Sequence, residues 1–79
     1  MRIARLHAPA DFGLAIQQAR IGRGLTQQEL ADLLGIPQST VSEIESGKST
    51  IYLRRILSLM RETGVELTAT WEDEHAPRS

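Results

Sequence analysis

The segment from 25 to 48, "LTQQELADLLGIPQSTVSEIESGK", is punctuated so closely that it can hold only short helices. Thr26 followed three residues later by Glu29 is a capping box: the hydroxyl takes an orphan backbone N–H of the first turn, and the carboxylate reaches back to the cap. A helix starts there, with Leu30, Ala31 and Leu34 as its apolar face. Gly35 ends it at a position that calls for positive φ. Pro37 then opens another helix, because its fixed φ suits a first turn and its missing N–H is one that no helical bond would use. This second helix runs to about Ser46, where Ser-Gly-Lys stops it. Val41 and Ile44 are its apolar positions, so most of its surface is polar.

On either side the period is also helical. "HAPADFGLAIQQARIGRG" opens with a proline suited to a first turn, places Phe12, Ile16 and Ala19 on one face and ends at Gly22 and Gly24, which predicts a helix over roughly 9–22. "TIYLRRILSLMRETG" carries Leu53, Ile56, Leu57 and Met60 at i, i+3, i+4 and i+7, with a cap at Ser49 or Thr50 and a stop at Gly64. The period then changes to two. "VELTATW" alternates Val65, Leu67, Ala69 and Trp71 with Glu66, Thr68 and Thr70, the pattern of a half-buried strand. A single strand needs a partner for its N–H and C=O groups. Either "MRIARLH" at the N-terminus or the same strand of a second subunit can supply one.

A chain of 79 residues buries only about 60 to 65% of the surface that its unfolded form exposes, so one small core is marginal. With no cysteine for a disulfide or a thiolate zinc site, a second copy is the cheapest staple, which favours the intersubunit partner. No apolar run approaches a membrane span, and no signal-like apolar stretch follows the first arginines, so a soluble cytoplasmic protein is expected. Net charge is −1, with Arg2, Arg5, Arg20 and Arg23 in the first third and Arg54, Arg55 and Arg61 near the last helix. The acids lie in the central helices and the tail, which leaves room for a positive edge on a nearly neutral molecule.

Two helices joined by about four residues around Gly35 form a helix-turn-helix unit. The small Ala31 lets the helices approach, Ile36, Val41 and Ile44 line the inside, and Gln38, Ser39, Ser42 and Glu43 remain on the outer face. Glutamine can bond an adenine edge through donor and acceptor together, and serine or threonine suits any edge or a phosphate. Gln27 and Gln28 sit at a helix N-terminus, where backbone amides favour a phosphate.

Residues 12–64 resemble the Xre/Cro family of helix-turn-helix repressors, on the strength of "RIGRGLTQQELADLLGIPQSTVSEIESGK". The fourth helix running straight into a strand, "TIYLRRILSLMRETGVELTAT", narrows the resemblance to HipB-like and Y4mF-like antitoxins. The resemblance implies an all-α, lambda-repressor-like bundle of four to five short helices, with a C-terminal β-strand pairing in an intersubunit sheet. It implies a DNA-binding domain (9–64) and a dimerisation strand (65–71), flanked by an N-terminal arm (1–8) and by a tail (72–79) that is expected to be flexible because it is acidic and without periodicity. Function is implied with it: a homodimeric antitoxin and autorepressor, acting in the bacterial cytoplasm at the nucleoid, that binds a palindromic operator in double-stranded DNA and neutralises a HipA-type kinase toxin.

By the same resemblance Gln27 holds a backbone phosphate, Gln38 and Ser39 face bases, and Thr40 and Ser42 lie near phosphate or base. Gln28 and Lys48 are further phosphate candidates. Glu43 stands where the phage repressors have glutamine, and an acid there can only accept, for example from cytosine N4. Arg20 and Glu45 match a structural salt bridge beneath the motif, and Val65, Leu67, Ala69 and Trp71 are the expected dimer contacts. A stand-alone regulator without a toxin, and an interaction module that has lost DNA binding, are the alternatives. Arg54 and Arg55 fit phosphate contacts and solvated surface equally well. No nucleophile with a base, carboxylate pair or ligand cluster is visible, so no enzyme, metal or cofactor is expected; His7 and His75 stand far apart.

Overall fold

The computed structural model describes residues 1–73. Its elements follow the order β1 (Arg2–Arg5), α1 (Pro9–Gly22), α2 (Gln27–Leu34), α3 (Gln38–Glu45), α4 (Ile51–Thr63) and β2 (Thr68–Trp71). The local signals act as chemistry requires. The Thr26 hydroxyl accepts from Glu29 N at 3.0 Å and the Glu29 carboxylate accepts from Thr26 N at 2.9 Å, closing the capping box. Gly35 caps α2 at φ 68°, in the left-handed region that side chains avoid. At α1 the N-cap is Ala8, which has no polar side chain; its carbonyl accepts from Asp11 N at 2.9 Å, and the Asp11 carboxylate reaches back to accept from His7 N and Ala8 N at 2.8 and 2.9 Å. Those two backbone bonds hold its carboxyl below the usual carboxylate value.

The two strands form an antiparallel pair within one chain, Arg2 opposite Trp71 and Arg5 opposite Thr68. Of the two partners open to the C-terminal strand, its own N-terminal segment is therefore one that it uses. The ladder extends by one bond, Leu6 N to Leu67 O at 2.9 Å. Only 68–71 of the expected 65–71 is strand, because Gly64 closes α4 in the left-handed region and Val65 N returns to Met60 O, so 65–67 turn the chain. Ala69 and Trp71 face inward and are half-buried, whereas Val65 and Leu67 stay exposed. Glu72 and Asp73 are tied back to the Met1 amino group and Arg2. The rest of the acidic tail, 74–79 with His75, lies outside the described residues.

Helix packing departs from the apolar periodicity. The buried apolar residues are Leu6, Ala15, Ala31, Val41 and Leu57. Ile16 on α1 and Ile44 on α3 were expected inside and are exposed; so is Leu34 on α2. On α1 the reason is close approach. A Cβ on Gly13 would collide with the Ile44 carbonyl oxygen and come within 2.7 Å of Glu45 O, so α1 crosses the end of α3 backbone to backbone. On its other side Ala15 and Gly22 are buried toward the sheet and its flank. A helix clamped so tightly from two sides needs small residues there rather than large apolar ones. The main helix contacts are α1 on α3 and α2 on α3, and α4 packs on no other element to a comparable extent.

Gly13→Ala tests that crossing. Alanine favours a helix over glycine by about 1 kcal/mol, yet here the clash should dominate and lower unfolding stability by about 1–3 kcal/mol in urea titration. A variant as stable as the parent would mean that α1 and α3 are not in this contact.

Candidate nucleic-acid interface

Beneath the helix-turn-helix lies one ion pair. Arg20 Nε donates to Glu45 Oε2 at 2.7 Å and Arg20 Nη2 to Glu45 Oε1 at 3.0 Å, a bidentate fork joining α1 to α3. The side chains are 11% and 2% exposed, so this is a buried pair. A third guanidinium nitrogen, Nη1, donates to the Leu25 carbonyl at 2.8 Å and holds the loop that leads into α2. Hydrogen bonding from Arg20 is the main reason that the Glu45 carboxyl lies below its ordinary 4.5, with burial opposing and the amides of Gln27 and Gln17 assisting.

The carboxylate also sets the direction of a relay. An ionised carboxylate only accepts, so Gln27 must present its amide nitrogen, and Nε2 donates to Glu45 Oε1 at 3.0 Å. That leaves Gln27 Oε1 facing the other way, where Gln38 Nε2 donates to it at 2.6 Å. Gln38, the first residue of α3, therefore keeps its oxygen and one N–H for outside partners, the donor and acceptor pair that an adenine edge matches. Gln27, expected to be free for a phosphate, has its oxygen and one N–H engaged within the chain and retains a single N–H. A shallow groove lined by Arg20, Leu25, Thr26, Gln27, Gln28 and Gln38 runs over this relay.

The remaining expected contacts divide by exposure. Ser39 is exposed beside Gln38, while Thr40 and Ser42 are half-buried. Pro37 starts α3 without any side-chain cap, so no side chain competes for the N–H groups of its first turn. Gln28 donates to Asp32 Oδ1 at 2.8 Å along α2. Glu43 and Lys48 pair at 3.3 Å on the surface, both more than half exposed, an interaction weak enough to open for a phosphate. Gln17 and the direction of the relay were missed from sequence. Gln17 stands at i−3 to Arg20 and i+4 to Gly13, on one stripe, and that spacing was the available signal.

Among the described residues no group of three or more His, Asp or Glu is placed to hold a metal, and no helix is long and apolar enough to cross a membrane.

A helix-turn-helix family model matches residues 16–69. The chain is 29% identical over 63 residues to the uncharacterized HTH-type transcriptional regulator y4mF of Sinorhizobium fredii, covering 80% of this chain and 83% of that one. It is 25% identical over 79 residues to antitoxin HipB of Escherichia coli K12, covering 100% of this chain and 90% of that one. No solved structure matches.

Glu45→Gln tests the pair. It leaves Arg20 buried without its counter-ion and should cost about 3–5 kcal/mol of stability. The pH dependence has a definite sign: a folded value below the ordinary 4.5 means that the contribution is complete above about pH 4.5 and is lost as pH falls through the lower folded value. The parent should therefore lose stability in that acid window more steeply than Glu45→Gln. Parallel acid profiles in thermal melts would exclude Glu45 as the titrating group.

Proposed function

Since the chain belongs to the helix-turn-helix family, we propose that it is a sequence-specific DNA-binding antitoxin and transcriptional autorepressor, working as a homodimer on a palindromic operator. The observation that carries the DNA reading is the amide relay. It fixes the half-buried Gln38 amide with its oxygen and one N–H uncommitted, next to the exposed Ser39, at the start of a helix that no side chain caps. Gln38 and Ser39 read bases; Gln28, Thr40, Ser42, Lys48 and the remaining N–H of Gln27 hold phosphates or flank the bases. Glu43 accepts from a base donor once Lys48 turns to the backbone. Two such helices about 34 Å apart would meet successive major grooves.

The second half of the reading, a HipA-type kinase as toxin, goes beyond similarity to antitoxin HipB along the whole chain, which supports the antitoxin role. Similarity to the regulator y4mF supports the competing reading, a stand-alone regulator. Direct binding to a HipA-type kinase encoded beside the gene would separate the two, and the absence of such a neighbour would leave the regulator. Dimer contacts fall to Val65 and Leu67, which are exposed, and to the outer edge of β2, where Ala69 and Trp71 are half-buried and Trp71 lies beside its own α1.

The test is binding to the protein's own upstream DNA against a scrambled duplex of equal length, over a salt series. Preference for the upstream DNA is expected, with Gln38→Ala losing about 1–3 kcal/mol of it. The salt slope should be shallower than that of a lysine-rich binder, because neutral donors make many of the contacts. Equal and weak retention of both duplexes, unchanged by the substitution, would overturn the DNA reading and leave a protein-interaction module.

A further inference from the structure

The relay at the head of α3 fixes which end of the Gln38 amide is left free. Gln38 Nε2 donates to Gln27 Oε1 at 2.6 Å, and Gln27 is itself held through its Nε2 on the buried Glu45 carboxylate at 3.0 Å. Turning the Gln38 amide over would set two carbonyl oxygens against each other, and turning Gln27 with it would set an oxygen against the carboxylate. Among the described residues Gln38 Oε1 and its second N–H have no partner, and the side chain is half-buried. The free end therefore presents one acceptor and one donor in a fixed order. Adenine is the one base whose major-groove edge carries a donor and an acceptor of its own side by side, N6–H and N7. Guanine has acceptors at both places, so its O6 would face Gln38 Oε1.

We propose, on the footing of Gln38 as a base reader in a homodimer, that the protein senses adenine methylation: it holds its operator when the adenine under Gln38 is unmodified and releases it when that base is N6-methyladenine. The N6 amino group has two hydrogens. One is committed to the thymine across the pair, and the other points into the major groove, where Gln38 Oε1 takes it. A methyl on N6 of a paired adenine has to occupy the groove position, since the pairing hydrogen must stay. It removes the matching donor and sets hydrocarbon against the carbonyl oxygen of a half-buried side chain, which is left desolvated and unsatisfied. A glutamine free to turn would swing away from the methyl; one tied through Gln27 to Glu45 has to break the relay to do so. In a palindrome the adenines read by the two subunits lie on opposite strands. Methylation of one strand therefore blocks one half-site, and methylation of both strands blocks both. Replication of a fully methylated operator leaves one methylated strand in each daughter, and so restores one half-site.

The experiment titrates the full chain, with Gln38→Ala and Gln27→Ala, against its own upstream duplex and the scrambled duplex. The upstream duplex is synthesised unmodified and with N6-methyladenine at one adenine at a time, on either strand and then with its symmetry mate. At one position per half-site the parent should lose about tenfold in affinity with either strand methylated and about a hundredfold with both, as one and two broken base contacts require. Gln38→Ala should bind all of these duplexes alike. Gln27→Ala should narrow the ratio between unmethylated and methylated affinity, a quantity that a loss of fold or of phosphate contact common to both duplexes does not move; an unchanged ratio would overturn the relay as the cause. Preference of the parent for the upstream duplex with no position sensitive to the methyl would overturn the sensing and leave the base-reading role in place. A methyl effect that persists in Gln38→Ala would assign it to DNA shape and overturn the sensing by Gln38 as well. Equal binding to upstream and scrambled DNA would overturn the base reading itself.

Discussion

The carboxylate of Glu45 is the group on which the rest of the arrangement depends. It lies between α1 and α3 with Arg20 in a bidentate fork, and it collects the amides of Gln27 and Gln17 besides. Burying two charges costs several kcal/mol each, and the bridge offsets this only because nearly every lone pair is met. The crossing that allows this is set by Gly13, Gln17 and Arg20, which stand at i, i+4 and i+7 on one face of α1. The glycine lets the backbones touch near one end, and the guanidinium reaches the carboxylate two turns on.

From that carboxylate outward, charge becomes orientation. An amide in isolation offers donor and acceptor in either sense; next to an anion it has one sense only. Gln27 takes its direction from Glu45, and Gln38 from Gln27, so the surface pattern at the head of α3 is written by a group in the interior. This also fits the net charge of −1. Arg2, Arg5, Arg20 and Lys48 are each engaged with an acid, and the head of α3 presents neutral amides and hydroxyls.

What could be read from the sequence was whatever depends on neighbours along the chain. The capping box at Thr26 and Glu29, the left-handed Gly35, Pro37 before α3 and the stop at Gly64 all follow from backbone rules spanning a few residues, and the four helices lie where those rules put them. Which face each helix buries was less legible, because apolar periodicity assumes a core large enough to receive it. α1 turns a polar stripe to α3, and Glu45 rather than Ile44 is buried on α3. Leu33 and Leu34, at 72% and 63% exposed, show how little of α2 the chain covers. The Arg20–Glu45 bond, 25 residues apart in sequence, was visible only through family resemblance. The relay from Gln27 to Gln38 had no signal, since it needs two helices already crossed.

The strand pair has a consequence for the order of assembly. Each helix forms from contacts a few residues apart, whereas the register Arg2 opposite Trp71 joins opposite ends of the described chain. Closing so long a loop carries an entropic cost that no short-range contact repays in advance. The helices and the α1–α3 crossing therefore come first on the folding route, and the clasp of β1 on β2 closes last. During synthesis β1 must wait through the whole of the helical region before its partner strand leaves the ribosome.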